Sequence, residues 1–426
     1  MTLPHRGAPR EDRTRLAGRE FPRASGRGLA TMDRFDWFAP HMRVDPYPDL
    51  HRFRAESPIQ HTPEGWWVLG FEEANLVLKD SRFGRDRAVF LEDFRRTLGD
   101  GPAYEYVIRR MTYYGPPDHG RIRGIVAGAF TPRRIEGLRP FIQRITHELL
   151  DAAPDHRRFD LLEAVGHPLP SLVICELLGV PNSMREDFDR WTQDIAHLIS
   201  PMVTDEQRRI GRETVIEEWA CVEDIITHRA KSLGDDLLSA LIQAEFEGER
   251  LTREELVANV MFMFSAGHQT TRDSLGMGVL GLLRHPTEWR RLAADPDESA
   301  RQATEECLRY ESPVCIAQQH ALTDTEVAGV RIPRGETINV LVNAANRDPR
   351  RFPVPDRLWI DRPDNHPMAF SGGPHLCLGA ALARVEVSVV LAELAKRFPD
   401  LDLTGEEVRW RDTAVFRGPQ ELWVSA

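Results

Sequence analysis

The stretch Phe370-Ser-Gly-Gly-Pro-His-Leu-Cys-Leu-Gly379 runs directly into Ala380-Ala-Leu-Ala-Arg384. Three glycines and a proline define a tight loop whose backbone can approach a ligand closely. Cys377 falls at the start of the helix that follows. Free amides and the positive end of a helix dipole favour a thiolate there, and the thiolate is the form that binds metal. His375, two residues earlier, leaves the extended loop on the same side and can donate to a carboxylate. A lone cysteine beside a glycine-rich turn is more often a buried structural residue, so the rest of the chain has to support a functional role.

The chain has 426 residues, 41% of them hydrophobic and 28% charged, an ordinary globular composition able to enclose a bulky ligand. A net charge of −11 argues against a general nucleic-acid binder, which needs a basic face. The five cysteines, Cys175, Cys221, Cys307, Cys315 and Cys377, are odd in number and form no CxxC pair. A disulfide framework is therefore not expected, and a reducing cytoplasm fits better. No stretch approaches the roughly 20 apolar residues of a membrane span. The first thirty residues carry seven arginines and no apolar signal core. Residues 1–31 read as a disordered extension, or as sequence upstream of a start at Met32. Residues 32–426 read as a single domain.

Gly65 to Gly70 reads as a strand, followed by a helix from Glu72 to Lys79. From about Pro117 to Leu283 apolar residues recur three and four apart, the helical period. Thr252-Arg-Glu-Glu255 is a capping box. The helix it opens meets no breaker before Pro286, so from Thr252 to Leu283 it would be about 48 Å long and would cross the whole domain. Glu326 to Ile332 and Thr337 to Val342 alternate between turn signals and predict a small sheet. A last helix spans about Leu378 to Phe398. The expected class is mainly α with a minor β region.

Phe370, Gly373, His375, Cys377 and Gly379 match FxxGxHxCxG, and the segment resembles the haem-binding loop of the cytochrome P450 family. Ser371 stands where the family often has a second glycine. Three further motifs follow the family's order and extend the resemblance over nearly all of the chain after Met32. Ala266-Gly-His-Gln-Thr-Thr271 resembles the family's AGx(D/E)TT segment. Small residues at Ala266 and Gly267 would let oxygen and substrate approach the backbone. The Thr270 hydroxyl can bond back to the Ala266 carbonyl and open the turn. Gln269 replaces the family's acid, and an amide can orient a water but cannot ionise. Glu306-Cys-Leu-Arg309 matches ExxR, implying a structural ion pair near the haem together with Arg357. Asp118-His-Gly-Arg-Ile-Arg123 implies that His119 and Arg123 pair with haem propionates. One such contact departs from the family: Gln319 stands where an arginine is usual, and His320 should point to the other strand face.

The resemblance implies a haem-thiolate monooxygenase with haem b, O2 as co-substrate and Cys377 as the iron ligand. Thr270, Gln269, Ala266 and Gly267 would serve oxygen activation, and His119, Arg123, His375, Phe370, Gly373, Gly379 and Gln319 would hold the cofactor. The chain shows no flavin or iron–sulfur signature, so electrons would come from a ferredoxin or flavodoxin, docked on Arg121, Arg133, Arg134 and Arg384. Helical geometry places Asn259, Phe262 and Met263 toward the pocket, with Ile316, Ala317 and Gln318 after the ExxR helix and Val415 and Phe416 near the C-terminus. The segment from Arg85 to Gly115, with Tyr104, Tyr106, Val107 and Met111, would close over the substrate. These residues suit a medium-sized, largely uncharged, secondary-metabolite-like small molecule, handled by a monomer away from membranes and nucleic acid. Hydroxylation is the default reaction. Oxidative coupling, suggested by Gln269, and a non-catalytic haem sensor or carrier stay open as alternatives.

Overall fold

A computed structural model describes residues 34–425, apart from 154, 156, 199–202 and 245–247. The expected extension at 1–31 lies outside them. Residues Phe35–Ala426 form one compact unit.

The elements that position the site can be taken in chain order. Strands β1 (Ile59–Thr62), β2 (Gly65–Val68) and β3 (Phe83–Gly84) come first. Helices α1 (Pro102–Arg109), α2 (Asp118–Ala129), α3 (Pro168–Leu178), α4 (Asp205–Arg229), α5 (Arg253–Leu283) and α6 (Pro296–Tyr310) follow. Strands β4 (Ile316–Ala321) and β5 (Thr337–Leu341) and helix α7 (Ala380–Arg397) complete the frame.

Helix α5 begins where the capping box placed it. The Glu255 amide donates to Thr252 Oγ1 at 3.1 Å and the Thr252 amide donates to a Glu255 carboxylate oxygen at 2.9 Å. Its 31 residues span about 46 Å at about 1.5 Å each. Every residue from Thr271 to Leu283 is buried, as in a helix surrounded by its neighbours on all sides. Earlier in the helix the pattern changes: Phe262, Ser265, Ala266, Gly267, Gln269 and Thr270 are only half-buried. All but Gly267 are spaced by three and four and mark one face, which borders a space that solvent reaches.

The sheet runs β1-β2-β5-β4-β3, with β2 and β5 parallel and the other neighbours antiparallel. Pairing of Gly84 with His320 delivers the loop after β3 to the flank of β4. Among the described residues no helix is long and apolar enough to cross a membrane.

Candidate active site

The cysteine loop is closed by its own backbone: the Cys377 amide donates to the Phe370 carbonyl at 3.0 Å. Gly373 has φ +63°, and a Cβ there would lie 2.0 Å from the Leu78 carbonyl oxygen, so only glycine fits. Ser371 also has a positive φ of 63°, so the departure from the family's glycine falls on a backbone that glycine would adopt without strain. A Cβ at Gly379 would meet no atom within 4 Å, which leaves the start of α7 open. Cys377 itself is exposed. Desolvation pushes its thiol up, while the Gly379 and Ala380 amides and the Arg123 and Arg384 guanidinium groups pull the other way. Arg384 lies over the Phe370 ring at 4.4 Å and is ion-paired with Glu305.

Beside this loop a set of donors converges, none of them ion-paired among the described residues. The rings of His119, from α2, and His375 are 4.0 Å apart. Arg123, one turn after His119, donates to the Leu376 carbonyl at 2.7 Å. Arg85, in the loop after β3, is the residue the sequence reading missed: its Nε is buried and has no hydrogen-bond partner. Desolvation, then Arg123 and Arg85, push the His119 pKa down to about 4. Desolvation, then Arg85, His119 and Arg123, push His375 down to about 3. A concentration of cationic and neutral donors, none of them ion-paired with a carboxylate among the described residues, fits a group carrying two carboxylates, and the exposed Cys377 fits a metal at its centre. The residues present therefore fit a haem.

Gln319 does not belong to this cluster. It is buried with Oε1 unpartnered, and its neighbour His320 is the residue that feels the Arg85 charge. The period of two in β4 explains the difference, because consecutive side chains point to opposite faces. No sequence signal marks Arg85. Only the β3–β4 pairing brings it here.

On α5, Thr270 Oγ1 donates to the Ala266 carbonyl at 2.8 Å, the back-bond expected from the sequence. The Gln269 amide nitrogen donates to Asp273 Oδ2 at 2.9 Å. A Cβ at Gly267 would sit 3.5 Å from Ile174 Cδ1 of α3, an ordinary contact, so helix packing does not by itself require glycine there. Asn259, expected in the pocket, is buried and committed to backbone. It accepts from the Met111 amide at 2.9 Å and donates to the Arg109 and Glu255 carbonyls at 3.1 and 2.8 Å. It thus fastens the segment after α1 to α5. Met263 is buried in the core, whereas Phe262 lies on the half-buried face.

Strand β4 alternates as well. Ile316 and Gln318 are half-buried, while Ala317 is buried in the core of the sheet side. Ala317 therefore faces away from its two neighbours. Val415 and Phe416 reach the strand's start: the Val415 carbonyl accepts from Cys315, and Phe416 bridges Val314.

Glu306 and Arg309 are both fully buried and share two hydrogen bonds of 2.8 Å. The second arginine is Arg362, not Arg357. Arg362 Nε lies 3.1 Å from both Glu306 oxygens, and Arg357 contributes only its carbonyl, to Arg309 and Arg362. The Trp359 amide and Asn365 complete the carboxylate's partners.

The expected basic docking face is largely neutralised. Arg121 pairs with Glu249 and Glu255, Arg134 with Asp235, and Arg384 with Glu305. A groove of about 510 Å³ beside Arg384 mixes Arg139 and Arg301 with Glu136, Asp297 and Glu305. Arg133 stays exposed, as does the apolar Leu376 next to the cysteine.

The cytochrome P450 family model matches residues 155–412. The chain is 38% identical to the cytochrome P450 monooxygenase PikC of Streptomyces venezuelae, over 89% of this chain and 90% of that one. It is 36% identical to the mycinamicin IV hydroxylase/epoxidase of Micromonospora griseorubida, over 90% and 98%. The crystal structure of myxobacterial CYP267B1 in complex with myristic acid superposes with a TM-score of 0.83 at 37% identity, covering 91% of this chain and 98% of that one. On these matches, together with the cysteine loop, the donor cluster and the central helix, the chain belongs to the cytochrome P450 family and is a haem-thiolate monooxygenase.

Proposed function

We propose that this monooxygenase hydroxylates or epoxidises a medium-sized organic molecule of the secondary-metabolite type, reduced by a ferredoxin or flavodoxin in the cytoplasm. One observation carries the reading: the half-buried face of α5 from Phe262 to Thr270, which lets a substrate body lie along the helix and end at a hydroxyl. The hydroxylase/epoxidase named among the relatives supports the reaction type.

Cys377 would ligate the iron, and His119, Arg123, His375 and Arg85 would hold the carboxylates of the haem. When bound, the haem would supply oxygen activation, which ligation by a thiolate favours. The protein's own residues do the rest. Phe262 and the small Ala266 orient the substrate and keep water away from it. Thr270 Oγ1, held by the Ala266 carbonyl, keeps lone pairs free to accept and pass on a proton at the end of the half-buried face. Gln269 offers its carbonyl oxygen, because its amide nitrogen is occupied by Asp273.

The absorption spectrum of the reduced protein under carbon monoxide tests thiolate ligation by Cys377. Product mass tests the reaction: a gain of one oxygen is expected. Loss of two hydrogens would favour oxidative coupling, the second reading, which draws on the absence of an acid at Gln269.

A further inference from the structure

Arg110 is 4% exposed and has no carboxylate partner among the described residues. Its Nη2 donates to the Tyr113 hydroxyl at 3.0 Å, and its Nε is sealed from solvent without an acceptor. Three aromatic faces surround the guanidinium: its carbon lies 5.2 Å from the Tyr106 ring, 4.9 Å from Tyr113 and 5.4 Å from Phe262. Aromatic faces stabilise a cation only partly, and a buried charge ordinarily has an ion partner. Buried Arg309, Arg347 and Arg417 all meet glutamates, and buried Arg54, which has no such pair, donates to the Ala344 carbonyl and to His51.

Two explanations within the protein fail. Glu218 on α4 is also buried and lies near Tyr106, but it makes no ion pair with Arg110. Burial pushes its carboxyl well above the ordinary range, which works against a charged form there. The haem cluster is built from other groups: Arg123 donates to the Leu376 carbonyl and the His119 and His375 rings meet, whereas the contacts of Arg110 are with Tyr106, Tyr113 and Phe262. Arg110 instead stands over Phe262, on the half-buried face that ends at Thr270.

We infer that Arg110 is a specificity-determining residue that binds the carboxylate of the substrate, so that the enzyme takes an amphiphilic organic acid and not an uncharged molecule. The inference deepens the proposed monooxygenase reading and rests on it. One guanidinium in an aromatic, otherwise uncharged setting suits a single negative charge, and a planar fork suits a carboxylate. Phe262 and Thr270 are eight residues apart, about 12 Å along the helix. The oxidised carbon would therefore lie far from the acid group, and an acid as short as acetate would not reach it.

The haem-loaded protein and its Arg110→Met and Arg110→Lys variants are titrated with dodecanoic acid and methyl dodecanoate, reading the spin-state shift. The wild type should bind the acid more tightly than the ester. Arg110→Met should lose about 10- to 100-fold in affinity for the acid and little for the ester, and Arg110→Lys should fall between. The substrate-free Arg110→Met protein should unfold at the same temperature as the wild type or higher, since it no longer buries an uncompensated charge. Failure of the wild type to bind the acid, equal losses for acid and ester, a destabilised or unfolded Arg110→Met, or faster haem loss from it would each overturn the proposal. The carbon monoxide spectrum reports thiolate ligation independently, so these failures leave the monooxygenase reading intact.

Discussion

Gln269 Nε2 donates to Asp273 Oδ2 across one turn of the central helix, at 2.9 Å. The family's acid next to the threonine is thus replaced by an amide, and a buried carboxylate sits one turn further on. Asp273 is fully buried and also meets Arg272 at 2.6 Å and Arg411 at 3.3 Å. Desolvation raises its pKa to about 6 against the pull of both arginines and of Gln269.

That shift fixes the sign of a pH dependence. The folded-state pKa lies above the unfolded value of about 3.9, so the folded state binds more protons between the two. The contribution of Asp273 to stability should fall as pH rises from about 4 to about 6, and then level off. Urea unfolding of wild type and Asp273→Asn across this range should show the difference shrinking and then flattening. A difference that does not change with pH would refute the assignment. Gln269→Glu would set two carboxylates against each other, and it should cost about 1–3 kcal/mol, most of it above pH 6.

Arg85 should matter more to cofactor retention than position 319. Arg85→Gln should speed haem loss by roughly 10- to 100-fold, the loss of a charge-assisted hydrogen bond of about 1.5–3 kcal/mol. Gln319→Arg should leave retention unimproved, because that side chain points to the other face of β4. Transfer of haem to an acceptor globin measures both. Improved retention in Gln319→Arg would show that the site lacks a cation there.

Breaking the buried Glu306 centre should be costly. Glu306→Ala leaves Arg309 and Arg362 buried without their carboxylate and should destabilise by about 3–5 kcal/mol. Arg357→Ala should stay within about 0.5 kcal/mol, since only the Arg357 carbonyl takes part. Chemical denaturation of the two variants separates the roles.

The cysteine loop offers opposite changes two residues apart. Ser371→Gly should stabilise by about 0.5–1 kcal/mol, as relief of the left-handed backbone exceeds the entropy lost with glycine. Gly373→Ala should destabilise the loop, because its Cβ would meet the Leu78 carbonyl at 2.0 Å. A shift in melting temperature of the wrong sign in either variant would contradict the backbone geometry.

Features encoded within a turn or a loop are legible in the amino-acid sequence. The capping box at Thr252, the Thr270 back-bond to Ala266, the Glu306–Arg309 pair and the loop around Cys377 all join residues no more than seven apart. Backbone geometry fixes such relations once the element is known. Tertiary structure alone decided the partners that come from afar. Arg362 takes the place expected for Arg357, because loop carbonyls turn one arginine inward and leave the other at the surface. Arg85 reaches the donor cluster through the pairing of two short strands. Asn259 is spent on the backbone of the segment after α1 and so is withdrawn from the pocket. Arg110 gains its significance from the lack of a carboxylate partner among the described residues, which depends on what every surrounding element places beside it and is written in no local pattern.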